Sequence, residues 1–326
     1  MSLDADSIVD RRRMRRKVTF WRVIAALCAI AVIGALALMV ASRTGLTERG
    51  GGAYIARIKI QGLIRGNQDR VEALERLAKS SARAVIVHID TPGGTTAGSE
   101  QLFDALRRLG AQKPTVAVID GLAASGGYIA AMAADHIVAL DTSLVGSIGV
   151  LFQYPNFTDA LKTLGIKVEE IKSTPLKAAP SSFEPTSPEA RAAIAAIVMD
   201  SYSWFRGLVK DRRKLDDAQL ARVADGRVFT GRQGLELKLV DALGNEQAAV
   251  AWLQREKNVP QNTPVRDYSL QPRFRDLPFL HVAALTFEAA GLSDFARRIE
   301  EWGAVRAIER LNLDGLLALW HPSSAN

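Results

Sequence analysis

The sequence predicts an α/β body on a mostly parallel sheet, preceded by one N-terminal transmembrane helix. Three observations predict it. Short apolar runs of strand character alternate with helical stretches from residue 53 to about residue 255. Upstream, Val23 to Ser42 is a run of 20 residues without a charge. The composition, 48% hydrophobic and 24% charged over 326 residues, suits a packed core and excludes a wholly disordered chain. Cys28 is the sole cysteine, which rules out an intrachain disulfide. With only four histidines besides, a structural zinc cluster is not expected.

At 1.5 Å per residue, Val23–Ser42 makes about 30 Å of helix, the thickness of a bilayer core. A buried soluble helix of that length would carry a polar face, and this one has none. A cleaved signal peptide is the rival reading. Ala41-Ser42 are small enough for cleavage, but the apolar region of such a peptide spans only about 7–15 residues. The formal net charge is +7, and most of it lies before this run: residues 1–22 hold seven Lys/Arg against three Asp. Positive flanks stay in the cytoplasm, so the body is expected outside the cytoplasmic membrane on a single-pass anchor. A nearly charge-balanced body does not suggest nucleic acid as a partner. The expected division is a basic cytoplasmic N-terminus (1–22), a transmembrane helix (23–42), a Gly-rich linker (43–52), the main domain (53–255) and a helical C-terminal extension (256–326).

Within the body, Ile55–Ile60 alternates as a strand does, and Asp69–Lys79 has helical spacing at Val71, Leu74, Leu77 and Ala78. Ala84–Ile89 is a nearly continuous apolar run, as in a parallel strand covered on both faces. Asp90–Gly94 reads as a turn, Ser99–Leu109 as a helix and Thr115–Ile119 as a third buried strand. Gly121–Gly127 reads as a small-residue turn and Tyr128–Ala134 as a helix. His136–Leu140 and Val168–Ile171 read as short strands. Ser187-Pro188-Glu189 begins a long helix to about Lys214: a capping serine, a proline at the first position and an acid in the first turn. Leu215–Ala224 is a second helix. Residues 225–240 read as a turn, a short strand and a helix capped by Thr230. Phe279–Leu292 and Phe295–Leu319 contain amphipathic helical stretches.

Three small-residue turns follow three strands: Asp90–Gly94, Ala123–Gly127 and Gly146–Val150. Paired glycines let backbone N–H groups face a ligand. Ser125, at a strand-to-helix turn among small neighbours, exposes a hydroxyl of nucleophilic type, though Ala123 stands where a G-x-S-x-G elbow has its first glycine. Histidine is the usual base, but His88 lies in an apolar strand and reads as a satisfied core residue. His136 follows Asp135 at a strand start, and His281 and His321 lie in the weakly patterned tail. A lysine serves instead if it is neutral. Its ordinary pKa is about 10.4, so working near neutral pH needs a drop of about 3, on the order of 4 kcal/mol, which desolvation can supply. Lys172 and Lys177, in KSTPLK, are both candidates on these grounds.

The motifs TPGG, AASGGYIAA, GSIGV, KSTPLKA and ADGRVFTGRQGLELKLVD, in that order over residues 53–250, resemble the signal peptide peptidase A family of membrane-anchored bacterial serine proteases. The resemblance implies a crotonase-like or caseinolytic-protease-like fold of repeated ββα units and a homo-oligomeric ring. It implies a Ser/Lys dyad with Ser125 as nucleophile and Lys177, the last lysine of the motif, as general base. Thr174-Pro175 stands where the family commonly has glycine, and Ala178 where an aspartate often follows. Ser147 is implied to orient the lysine. Candidate oxyanion donors are Gly94 and Gly126, with Gly93 in reserve. No metal or other cofactor is needed for this chemistry. The expected substrates are cleaved signal peptides and similar apolar peptides. A silent oligomeric binding protein on the same fold would lack Ser125 or Lys177, and both are present. An acyl-CoA-binding crotonase-like enzyme would also use glycine turns, but an exported domain has little access to acyl-CoA.

Overall fold

The structure is a computed structural model that describes residues 20–22, 24 and 52–270, and the backbone of residues 316–319. The chain divides into two compact units, Met1–Gly52 and Ala53–Asn326. In the first unit residues 20–22 and 24 are helical and Gly52 lies in a bend. The transmembrane helix expected over 23–42 lies, Ile24 apart, outside the described residues. Among the described residues no helix is long and apolar enough to cross a membrane.

The second unit is built on an eight-stranded, mainly parallel sheet. In chain order its first elements are β1 (Tyr54–Gln61), α1 (Gln68–Ala78), β2 (Ala82–Thr91), β3 (Gly93–Thr95), α2 (Thr96–Gly110), β4 (Thr115–Ala124) and α3 (Gly126–Ala131). Next come β5 (His136–Ala139), β6 (Leu144–Gly146), β7 (Leu151–Phe152), α4 (Thr158–Thr163), α5 (Pro188–Arg213) and α6 (Asp217–Val223). The remaining elements are β8 (Val228–Thr230), α7 (Gly231–Glu236), β9 (Ala242–Leu243), α8 (Glu246–Glu256), β10 (Val265–Asp267) and β11 (Leu316–Leu319). The sheet runs β10-β1-β2-β4-β5-β9, with β6 branching onto β4 and β8 onto β6. Every pairing in it is parallel except β6 with β8.

The sheet is covered on both faces, which is why β2 and β4 are almost continuously apolar. On one face α1, α2 and α3 bury Leu74, Leu77, Leu102, Leu109 and Ile129 against Ile58, Val87 and Ile119, together with Phe205 and Val209 of α5. On the other, Ala249 and Leu253 of α8 pack on Ile86, Val116 and Val118. Glu246, in the first turn of α8, ties that helix to the strands. It accepts two hydrogen bonds from Arg57, at 2.5 and 2.6 Å, and lies 2.7 Å from His88 Nε2. The His88 Nδ1 lies 2.7 Å from Asp120, so this histidine is satisfied, but by carboxylates from a strand and a helix rather than by an apolar core.

Several elements differ from the sequence reading. Val168–Ile171 is not a strand: Val168 is 43% exposed, Ile171 is fully exposed, and among the described residues no strand pairs with them. Residues 121–124 continue β4 rather than turn, because Leu122, Ala123 and Ala124 pair with β6. Gly93–Thr95 likewise becomes β3. At the other end of the chain, Leu316–Leu319 is extended, whereas the pattern suggested the end of a helical stretch. It lies between β3 and β7, antiparallel to both. The caps were as expected: Ser187 accepts from Ala190 N–H at 3.1 Å, and Thr230 forms a capping box with Gln233.

Candidate active site

Strand order brings the three small-residue turns together. β2, β4 and β6 are parallel neighbours, so Thr91, Ala123 and Gly146, near their carboxyl ends, fall side by side: Thr91 is in register with Ala123, and Ala124 with Gly146. Crevices beyond the carboxyl ends of the strands are where open α/β sheets bind ligands.

Ser125 sits between β4 and α3 at φ 54°, ψ −115° and is 1% exposed. A non-glycine residue in such a conformation is strained, and strain of this kind persists only where surrounding bonds hold it. Here they do. Its N–H donates to Gly146 O at 2.8 Å, and its carbonyl accepts from Tyr128 at 2.9 Å and Ile129 at 3.0 Å. The hydroxyl donates to Gly149 O at 3.3 Å, a long bond that leaves it available. Gly126 takes the first position of α3, where a backbone N–H has no acceptor within the helix. Glycine is needed at position 127, because a Cβ there would lie 2.7 Å from the Thr91 methyl and 2.8 Å from its carbonyl oxygen.

Gly94 is fixed from the other side. Residues Ile64 and Gly94 form a parallel bridge, with Ile64 N–H donating to Gly93 O at 2.8 Å and Thr95 N–H to Ile64 O at 2.9 Å. Gly93 has φ 106°, and its N–H donates to the Thr91 hydroxyl at 3.1 Å. Ser147 also has positive φ, 51°, and its N–H donates to Arg227 O at 2.8 Å. Ser125, Ser147 and Ala178, the residue after Lys177, are thus three of the six non-glycine residues at positive φ among the described residues.

Lys177 is not drawn to this cluster. Its side chain is exposed on the 153–187 segment, and among the described residues no hydrogen bond joins it to Ser125 or Ser147. Lys172, the other candidate base, has its ammonium clasped by Glu184 at 2.5 Å and Glu170 at 2.9 Å. The Glu184 bond, followed by that of Glu170, raises the Lys172 pKa above the ordinary lysine value and keeps it charged. A lysine so held cannot accept a proton near neutral pH. The two carboxylates were missed. Glu170 stands two residues before Lys172 and was visible as a pair, but Glu184 is twelve residues away across a loop. The cavity of about 510 Å³ beside this loop, lined by Thr174, Pro175, Leu176, Ser187 and Glu189, does not include Ser125.

A sequence profile described as peptidase family S49 matches residues 107–260, a stretch that contains Ser125, Ser147 and Lys177. A putative protease of Synechocystis sp. is 36% identical over 200 residues, covering 61% of this chain and 72% of that protein. The chain belongs to peptidase family S49. It is a serine peptidase by that membership. A putative signal peptide peptidase SppA of Enterococcus faecium is 29% identical over 201 residues, covering 61% of this chain and 58% of that one. Relatives named Protease 4 are longer, and the chain spans about a third of them. Among solved structures, a ClpP1 mutant of Listeria monocytogenes matches with a TM-score of 0.40 at 13% identity, covering 58% of this chain and 91% of that one.

Proposed function

We propose that this S49 peptidase is a membrane-anchored endopeptidase with a Ser125/Lys177 dyad, acting on cleaved signal peptides and similar apolar peptides outside the cytoplasm. The observation that carries the dyad's serine is the strained backbone of Ser125, held where three glycine-bearing turns converge. In the first step Ser125 Oγ attacks the peptide carbonyl carbon and its proton passes to neutral Lys177 Nζ. The oxyanion is met by the N–H groups of Gly94 and Gly126. Collapse of this intermediate expels the amine, which takes the proton back from Lys177, and leaves an ester on Ser125. Water then attacks the ester with Lys177 again as base. Ser147 orients the lysine. None of these steps calls on a metal or other cofactor.

Lys177 reaches the serine by way of a second copy of the chain. Two features support this. Lys177 is exposed and unconnected to Ser125 within one protomer. The segment that carries it also exposes Phe157, Leu164, Ile166, Ile171, Leu176 and Phe183, each at least 47% accessible. So much apolar surface on one stretch marks an interaction site. Covered by the next protomer of a ring, it would bring each lysine toward a neighbour's serine.

Mixing inactive variants tests the shared site. Ser125→Ala and Lys177→Ala chains, each shown to assemble, should be inactive alone and regain hydrolysis of a fluorogenic peptide when co-assembled. A co-assembled mixture that stays inactive would refute a site shared between copies. Protease shaving of spheroplasts tests the anchor: the body should be cleaved while a cytoplasmic control is spared.

A further inference from the structure

Thr91 closes β2 and is fully buried, although threonine is a polar residue. Its side chain reaches both halves of the candidate oxyanion hole. The hydroxyl donates to Gly62 O and accepts from Gly93 N–H at 3.1 Å. Gly62 and Gly93 are both turn glycines, at φ 68° and 106°. The 62–65 segment then places Ile64 against Gly94 as a parallel bridge, so the hydroxyl holds the Gly94 backbone from two directions. The methyl serves the other half. Of all atoms around a Cβ built on Gly127, the nearest is Thr91 Cγ2, at 2.7 Å, and Gly127 directly follows Gly126 in α3. One side chain thus touches the residue before one donor and the residue after the other. A hydroxyl suits the first task because it donates and accepts at once, and a branched Cβ adds the methyl for the second.

We propose that Thr91 is a positioning residue that fixes the Gly94 and Gly126 N–H groups relative to one another, acting through Gly93 and Gly127 rather than on the substrate. The proposal rests on the reading of Ser125, Gly94 and Gly126 as the peptidase site. The two donors come from separate elements, β3 and α3, and a tetrahedral oxyanion needs both within about 2.7–3.1 Å at the same time. Without the Thr91 hydroxyl the buried Gly93 N–H loses this acceptor, and the 93–94 turn is free to rotate away from α3. A planar ground-state carbonyl demands less of the pair, so the loss falls on kcat rather than KM.

The test uses the full chain with three substitutions. Thr91→Val keeps the shape and removes the hydroxyl. Thr91→Ala removes hydroxyl and methyl, makes no new contact, and carries the test should valine prevent folding. Thr91→Ser keeps the hydroxyl alone. Tm is measured, with kcat and KM on a fluorogenic peptide and Ki for a peptide aldehyde and its matching alcohol. The aldehyde carbon bonds to Ser125 Oγ, its carbonyl oxygen takes the negative charge, and the serine proton passes to the base; the alcohol only binds. Thr91→Val and Thr91→Ala should lower kcat about 10²-fold with KM within roughly threefold, and shrink the aldehyde's advantage over the alcohol by a similar factor. Thr91→Ser should restore kcat and that advantage to within roughly threefold of wild type, at a lower Tm for the lost methyl. Valine and alanine chains that lose Tm yet keep kcat and the aldehyde advantage would overturn the proposal, as would a serine chain as impaired as the alanine chain. Ser125→Ala separates the two readings. An aldehyde advantage that survives Ser125→Ala would refute the peptidase reading of that serine, whereas one that vanishes there but is untouched in Thr91→Ala would refute the role of Thr91 alone.

Discussion

Gly94→Ala tests whether the backbone around Ser125 is set by close approach of strands. A methyl on Gly94 would lie within 2.6 Å of three backbone atoms of Ile64. Non-bonded heavy atoms pack at about 3.5 Å and the nearest of these, Ile64 O, would be at 1.8 Å, so β3 and the 62–65 segment must separate by roughly 1.5 Å. The hydrogen bonds from Ile64 N–H to Gly93 O, 2.8 Å, and from Thr95 N–H to Ile64 O, 2.9 Å, would be lost or stretched. At ~0.5–1.5 kcal/mol each, that is about 1–3 kcal/mol of stability. The effect on turnover should be larger than the effect on folding. Displacing an oxyanion donor by ~1 Å lowers kcat about 10²–10³-fold. The control is Gly207→Ala in the interior of α5, where a new Cβ meets nothing within 4 Å. That change should stabilise the helix by roughly 0.5–1 kcal/mol and leave activity alone. Thermal unfolding and kcat/KM on a fluorogenic peptide are measured for both variants. A Gly94→Ala enzyme, folded and assembled, with the wild-type kcat would refute both the steric argument and the role of Gly94 in the site.

Lys177→Ala and Lys177→Arg should both abolish hydrolysis, because arginine stays charged, whereas Lys172→Ala should keep much of it, since Lys172 is already committed to Glu170 and Glu184; an active Lys177→Ala beside a dead Lys172→Ala would transfer the role. Glu246→Gln should lower Tm at pH 7. The Arg57 bond, then that of His88, holds the Glu246 pKa below the usual carboxylate value, so its contribution is present above about pH 4.3 and is lost as pH falls through the lower folded value. The Tm gap between the two proteins should therefore narrow as pH falls below 4, and a gap that widens there would contradict the assignment. Tyr128→Phe removes a fully buried hydroxyl that donates to Leu239 O at 2.7 Å, and should cost about 1–3 kcal/mol, or roughly 2–4 °C in Tm per kcal/mol, with little change in KM.

The parts of the fold legible in the sequence were those stabilised locally or by simple burial. β1, β2 and β4 announce themselves through apolar runs because they bury so much of their length, and α5 through the Ser187 cap and the proline after it, although it buries only Ala190, Phe205 and Val209. The glycine turns and Ser125 were legible for a similar reason: strain and close approach leave only small residues at these positions. What could not be read was how the turns meet. β6 pairs directly and in parallel with β4, its far edge is taken by the antiparallel β8 more than eighty residues further on, and no local pattern records such pairings. The 153–187 segment misled because its apolar residues Leu164, Ile166, Val168 and Ile171 are exposed rather than packed, so Val168–Ile171 read as a short strand. Residues 316–319 are too short to signal a strand, and their pairing partners lie over 160 residues away.

The account turns on Ser125 as the nucleophile, and a covalent probe tests that most directly. The full chain is exposed to excess fluorophosphonate until labelling stops, then digested and sequenced by mass spectrometry. The account predicts one adduct, on Ser125, that inactivates the enzyme in proportion to labelling and is absent from the Ser125→Ala chain. Inactivation with the adduct on another serine, Ser147 included, would contradict it, as would full activity after stoichiometric labelling of Ser125.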